Sequence, residues 1–421
     1  MGIDKKALML GMGIGLLVAD PAFSSASIPA FEGELKTQVE FREDIRDRDS
    51  TPFDTYLKLD VRDLKGKSEL HFYGKLWKDL GRGTDWDADL FQLYVDTPLN
   101  REFKLSVGRQ FISEGFETYI ADAVRLTRSS KKGLRYVFYL GKPRYFEPNT
   151  RSGDDLLAGF KLDYKGFFLG FEHVRKNGDV RKSSFLFGDY RYLTRELAQY
   201  ARLELDVAHG ELLSWNLGID YFPTKKLRLN SDLEFYDGSY TYGDGVRENE
   251  LFYLFSSGRE LRFTQSVYYD LTKVWQVFGS YTFTDLQRKG KDNGHLIKLG
   301  LVRDTWFDNG LRSYGSLLYQ NSWFGIMKGF EVGFTKYFCR KLTLTGMLDV
   351  AHYDKITYGS QWSNALYLKG TYAVTEFSNF ELGIDYRKNE DFDRDARVIL
   401  RYNYLFWGGS SYKERRVEER K

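Results

Sequence analysis

The sequence predicts an all-β chain folded as a single transmembrane antiparallel β-barrel of about 22 strands, with 18 or 20 as the alternatives. Three observations carry that expectation. Run after run alternates apolar with polar residues, short turn signals separate the runs, and the composition is at once aromatic and charged. Aromatic residues make up 17% and charged residues 29%. Mean hydropathy is −0.48. A helical membrane protein would be more apolar, and a soluble protein would carry less Tyr and Phe. A lipid-spanning barrel accommodates both, because half of each strand faces lipid, half faces water, and aromatic girdles sit at the interfaces.

The stretch from Asp54 to Lys78 shows the unit. Leu57, Leu59 and Val61 fall on one face of a strand and Tyr56, Lys58, Asp60 and Arg62 on the other. After a turn at Lys65-Gly66-Lys67, Leu70, Phe72 and Leu76 alternate with His71, Tyr73 and Lys75. The two runs read as an antiparallel hairpin. Across 421 residues only seven prolines are scattered, and no Pro- or Ser-rich linker divides the chain, so one continuous architecture follows.

The N-terminus reads as an export signal. Lys5 and Lys6 precede thirteen apolar or Gly residues, Ala7 to Ala19, followed by Asp20-Pro21 and the small residues Ser24-Ser25-Ala26. Cleavage after Ala26 is expected. The apolar run is shorter than the ~20 residues of a spanning helix. The expected organisation is therefore a signal peptide at 1–26, an outer-membrane barrel at 27–407 and a charged tail at 408–421.

Along the remaining chain, Leu35 to Arg42 alternates, as do Phe91 to Asp96 and, after Pro98-Leu99-Asn100, Phe103 to Val107. Leu213, Trp215, Leu217, Ile219 and Tyr221 form one apolar face, and Leu227, Leu229, Leu233 and Phe235 another, joined at Pro223 to Lys226. The pattern persists through Leu342–Val350, Phe380–Arg387 and Ala396–Tyr404. Leu57, Leu59, Val61, Phe91, Leu93, Leu217, Ile219, Leu382 and Ile384 are expected to face lipid. Short turns near 66, 99, 165, 224, 272, 307, 340 and 376 interleave with longer polar connections near 46, 82, 115, 147, 178, 243, 290, 357 and 391. Short turns on one side and longer loops on the other are the habit of outer-membrane barrels. Gly141 to Asp155 and Asp237 to Glu260 are the longest candidates for a loop that narrows the lumen.

At the level of pattern the mature chain resembles Gram-negative outer-membrane porins and channels. Gly108-Arg109-Gln110 followed by Asp122-Ala123-Val124-Arg125-Leu126 resembles a strand-loop-strand element of alginate-export-type porins, with Ala123 where Gly is usual. Such barrels commonly end on an aromatic residue, whereas Tyr404-Leu405-Phe406-Trp407 is followed here by Gly-Gly and a charged segment. The resemblance implies a channel.

Projected inward, the alternation gives a candidate pore lining of Lys36, Glu40, Lys58, Asp60, Arg62, Lys75, Asp96, Lys104, Arg125, Lys161, Asp163, Arg228, Asp232, Glu234, Asp385, Arg387, Arg397 and Arg401, with Asp220 and Lys298 on the same face. Opposite charges two residues apart, as in Lys58-Asp60-Arg62, favour ion pairs that stiffen a wet wall. The formal net charge of +3 argues against a nucleic-acid partner.

Catalytic and cofactor signals are lacking. His71, His173, His209, His295 and His352 are isolated in sequence, Cys339 is the only cysteine, and no HExxH, GxSxG or Cys-x-x-Cys-His spacing occurs. No enzyme activity, metal or cofactor is expected. The expected partners are outer-membrane lipid and small hydrophilic solutes diffusing through a mixed-charge lumen. The alternative is a structural sheath enclosing a multihaem cytochrome in an electron conduit across the outer membrane.

Overall fold

A computed structural model describes residues 29–43, 49–64, 67–144, 155–237, 259–288, 290–306, 310–322, 325–355, 359–388 and 395–409. The residues assigned to the signal peptide, and nearly all of the charged tail, lie outside these.

The described residues form one antiparallel sheet of 23 strands, one of them the two-residue piece Asp49–Ser50 that extends the first hairpin. Setting that piece aside leaves 22 barrel strands. They are β1 (Phe31–Glu43), β2 (Pro52–Leu64), β3 (Ser68–Asp79), β4 (Asp87–Pro98), β5 (Phe103–Ile112), β6 (Tyr119–Ser129), β7 (Leu134–Arg144) and β8 (Leu156–Tyr164). There follow β9 (Phe167–Lys176), β10 (Asp179–Tyr192), β11 (Leu197–Asp206), β12 (Glu211–Thr224), β13 (Leu227–Asp237), β14 (Arg259–Asp270) and β15 (Trp275–Arg288). The circuit is completed by β16 (Gly290–Trp306), β17 (Leu311–Ser322), β18 (Gly325–Tyr337), β19 (Leu342–Lys355), β20 (Gly359–Ala373), β21 (Ser378–Lys388) and β22 (Asp395–Gly408). Each strand pairs with its sequence neighbours, and β1 also pairs with β22 from Phe31↔Gly408 to Arg42↔Arg397. The sheet is closed and has no edge.

Alternation sorts the side chains between two faces. Leu217 is 50% exposed, and Leu299, Leu317, Phe330, Val332, Leu382 and Ile384 are exposed as well. A soluble core would bury such residues, so this face is the lipid-facing one. Phe138, Phe160, Phe171 and Phe185 pair directly across β7 to β10 on it, with ring centroids 5.0–6.4 Å apart. Leu57 keeps the outward parity but is covered by its neighbours at 4% exposure.

Phe91 departs from the lipid-facing expectation. Pairing between β3 and β4 skips it: Tyr73 faces Gln92 and Gly74 faces Leu90. The extra residue makes a β-bulge that breaks period two, and the Phe91 ring lies 5.0 Å from that of Tyr73, which belongs to the Lys58 face.

The turns follow from local chemistry. At one rim, Leu99 NH donates to the Phe103 carbonyl, Leu193 NH to Leu197, Phe338 NH to Leu342 and Val374 NH to Ser378, one repeated tight connection. Within such turns a side-chain oxygen caps the backbone: Thr272 Oγ1 accepts from the Val274 and Trp275 amides, and Thr224 Oγ1 from Lys226 and Leu227. The turns at 130–133, 193–196 and 207–210 were not among those expected from alternation; Thr194, which accepts from the Glu196 amide, was the available signal at the second. The connection near 178, expected to be longer, is two residues, because Asn177 and Gly178 both take positive φ (55° and 89°) in a primed hairpin turn. The connection near 290 is also tight, with Arg288 paired to Gly290. Expected turns near 46, 66, 147, 243, 307, 357 and 391 fall outside the described residues.

Substitution on the two faces should differ in cost. Leu299→Arg places a cation against lipid and should destabilise folding into bilayers by ~2–4 kcal/mol. Lys298→Arg, one residue away on the opposite face, should change it little. Urea titrations of refolding into liposomes measure both, and equal costs would refute the register.

Candidate functional site

The inner wall is a lattice of ion pairs within strands and between them. Lys58 lies 3.8 Å from Asp60, Lys75 2.8 Å from Asp54, Lys104 2.7 Å from Asp96 and Lys161 3.2 Å from Asp163. Arg62 pairs with Glu32, and Lys36 lies 5.5 Å from the centre of the Tyr56 ring. Across the barrel, Arg228 pairs with Asp220 at 2.9 Å, Asn216 donates to both Asp232 and Glu234 at 2.9 Å, and Lys298 meets Glu331 at 2.9 Å. Near the seam, Arg387 pairs with Asp385 at 2.8 Å, Arg397 with Asp395 at 2.7 Å, and Arg401 with Glu381 at 2.9 Å while also donating to Gln38. Glu40 shares the face of Gln38, two residues along the strand. All of these oppose the exposed apolar face.

One connection folds inward. Residues 113–118, between β5 and β6, were expected as an ordinary polar loop, yet Glu114 and Phe116 are buried. The Glu114 carboxylate accepts three charge-assisted hydrogen bonds from Arg135 at 3.0–3.1 Å and lies 3.9 Å from Arg125. Gly115 offers its carbonyl to Arg202 of β11 at 2.7 Å. Phe116 packs over Gly170, where an added Cβ would approach the ring to 3.0 Å, so glycine makes the seat. Lys182 Nζ sits 5.7 Å from the centre of the same ring. The segment thus lies against the ion-paired face from β6 to β11.

Beneath it the wall is dry. Ile112, Tyr119, Ala121, Ala123, Val137, Tyr139, Leu157 and Val174 form a buried apolar cluster. Beside it, Lys182 lies 3.4 Å from Glu172 and 3.1 Å from Glu204, with side chains 6%, 1% and 7% exposed. Tyr139 donates to Glu172 at 2.8 Å. These partners come from four separate strands, so sequence reading of single runs missed them. In the Gly108 to Leu126 element, Arg109 donates to Asp122 at 2.7 Å on the outer face, whereas Gln110 turns inward and donates to the Ala123 carbonyl at 3.1 Å. The loops proposed to narrow the lumen, Gly141 to Asp155 and Asp237 to Glu260, lie largely outside the described residues. Among the described residues, Glu69, His71 and Asp96 form the group whose ligand atoms converge closely enough to hold a metal ion.

No protein-family model matches the chain. No curated protein matches it either. Among solved structures, the siderophore receptor PirA from Pseudomonas aeruginosa aligns over 91% of this chain and 81% of its own, at 11% identity and a TM-score of 0.62. At that identity the likeness is one of fold: this chain too is a closed antiparallel β-barrel. Acinetobacter baumannii OccAB3 (10% identity, 91% and 100% coverage, TM-score 0.45) and Pseudomonas aeruginosa OpdQ (8%, 90% and 98%, TM-score 0.44) also align.

The dry patch and the open wall should respond differently to loss of a cation. Lys182→Met strands Glu172 and Glu204 in a buried site and should cost ~3–5 kcal/mol. Arg228→Met removes a half-exposed partner and should cost ~0–1 kcal/mol. Denaturant midpoints of the refolded barrel compare the two; similar losses would contradict the buried network.

Proposed function

We propose that this chain is an outer-membrane channel through which small hydrophilic solutes diffuse along a mixed-charge lumen. The observation that carries the reading is the closed 22-strand wall whose lumenal face is polar and ion-paired while its outer face is apolar. Barrels of this strand number are too wide for wall side chains to fill. Water must therefore wet the lattice of Lys, Arg, Asp and Glu wherever the inward segment does not cover it. The candidate lining residues supply both signs of charge in alternation, which admits polar solutes without strong selection for either ion sign. The inward segment 113–118 narrows one side of the lumen, with Phe116 and Glu114 as its fixed points. Export by a leader cut near Ala26 belongs to the same proposal. The fold and the apolar outer face support an outer-membrane location.

Reversal potentials test the charge reading. In planar bilayers the protein should conduct with weak ion preference. Arg262 stands opposite Glu234 on the strand beside that of Arg228, 3.7 Å from its carboxylate. Replacing Arg228 and Arg262 together by Glu adds four negative units to one wall and should shift reversal potentials toward cation preference. The shift should fade in 1 M salt, where the screening length is ~3 Å. An unchanged reversal potential at low salt would remove these residues from the conducting wall. A folded barrel that stays silent in bilayers until a haem-containing partner is stripped from it would favour the sheath instead.

A further inference from the structure

Where β2, β3 and β4 meet near the short-turn rim, three carboxylates converge on one imidazole. His71 of β3 stands directly opposite Asp60 of β2 and Tyr94 of β4. Its Nδ1 lies 2.6 Å from Asp60 Oδ1, and its ring stacks on Tyr94 with centroids 4.5 Å apart and planes 18° from parallel. Together these contacts fix the ring's rotation and aim Nε2 away from Asp60. The nearest acceptors there are Asp96 Oδ2 at 3.6 Å and Glu69 Oε2 at 3.8 Å.

Two buried atoms in this group have no hydrogen-bond partner: His71 Nε2 and Asp96 Oδ1. The Asp96 side chain is only 6% exposed. Its other oxygen, Oδ2, is held by Lys104 at 2.7 Å. Leaving a buried donor or acceptor unmet costs ~1–3 kcal/mol, so two converging orphans need an explanation. One ligand atom each from Glu69, His71 and Asp96 lies within 4.8 Å of the others.

We propose that Glu69, His71 and Asp96 bind a divalent transition-metal ion on the lumenal wall, with Asp60 as the residue that positions His71. One imidazole and two carboxylates suit zinc, cobalt or nickel better than magnesium or calcium, which prefer all-oxygen sites. Bonds of ~2.0–2.2 Å put ligand atoms ~3–3.5 Å apart on a common ion. His71 Nε2, 3.6 Å from Asp96 and 3.8 Å from Glu69, is near that spacing, and the remaining pair, which lies within 4.8 Å, closes by rotation of the half-exposed Glu69 side chain. Asp60 accepting the Nδ1 proton sets the tautomer that leaves Nε2 free to ligate, the carboxylate–histidine–metal arrangement. Glu69 is 43% exposed, so lumenal water can complete the coordination shell. Asp96 Oδ2 faces His71 Nε2 and is also held by Lys104, so the Asp96 carboxylate would be shared between that ammonium and the ion, with the unpartnered Oδ1 as its second donor. Nothing in the proposed channel function requires this site.

The test uses the whole barrel, refolded in detergent and stripped with a chelator. Titration with Co2+, followed by its visible absorption, and with Zn2+ by calorimetry should show one saturable equivalent, with Zn2+ displacing Co2+ and excess Mg2+ not doing so. His71→Ala and Asp96→Asn should abolish the site, and Asp60→Asn should weaken it by ~10–100-fold with the stoichiometry kept. His352→Ala, on a distant wall, should leave it intact. Glu69→Gln, at a half-exposed position, gives a variant that does not threaten folding and should also weaken binding. Absence of saturable binding by the wild-type barrel overturns the proposal, as does binding that survives His71→Ala.

Discussion

Everything in this molecule depends on the pairing of β1 with β22. In hydrocarbon each unpaired backbone group costs several kcal/mol, so a sheet can cross lipid only if its first and last strands meet. The seam runs in continuous register from Phe31↔Gly408 to Arg42↔Arg397. Arg401 reinforces it from the lumenal side by reaching across to Gln38 and back to Glu381. Because an even number of antiparallel strands closes the circuit, both ends of the wall lie at one rim, together with the turns that follow Pro98, Tyr192, Tyr337 and Ala373. Strand parity is then locked around the whole circumference: a slip of one residue anywhere would expose Lys and Asp to lipid and turn Leu and Phe to water.

Closure also creates the problem that the inner face solves. A wall of this width cannot be filled by its own side chains, so the polar groups of the lumen must be satisfied by one another or by water. Around most of the circumference they use ion pairs within and between strands that are individually worth little but keep long side chains against the wall. From β6 to β11 the solution differs. There a short inward segment, seated by Phe116 on Gly170 and tied by Glu114 to Arg135, excludes water and leaves Glu172, Lys182 and Glu204 in a buried network. One side of the lumenal wall is therefore covered and dry, and the other presents its charged side chains to the interior.

The fold class was legible in the sequence because lipid and water impose opposite demands on successive residues, and that period survives in β2, β12, β13 and β21 almost unbroken. Two kinds of feature were not legible. Phe91 was misread because a bulge adds a residue without leaving a local mark in the composition. Glu114 and Phe116 look like ordinary loop residues; only their contacts with Arg135, Gly170 and Arg202 reveal an inward segment. The same holds for His71, which is isolated in sequence except for Glu69 two residues before it, the one local hint that both could face the same side. Asp60 and Asp96 reach it only through strand register.

The central claim is that the lumen passes water-soluble molecules. Uptake by liposomes carrying the refolded barrel, measured by osmotic swelling in a size-graded series of neutral sugars, tests it without reference to charge. The account predicts swelling rates that rise well above protein-free liposomes and fall progressively as the sugar grows. Liposomes that contain fully folded barrel yet swell no faster than empty ones, even with the smallest sugar, would contradict it.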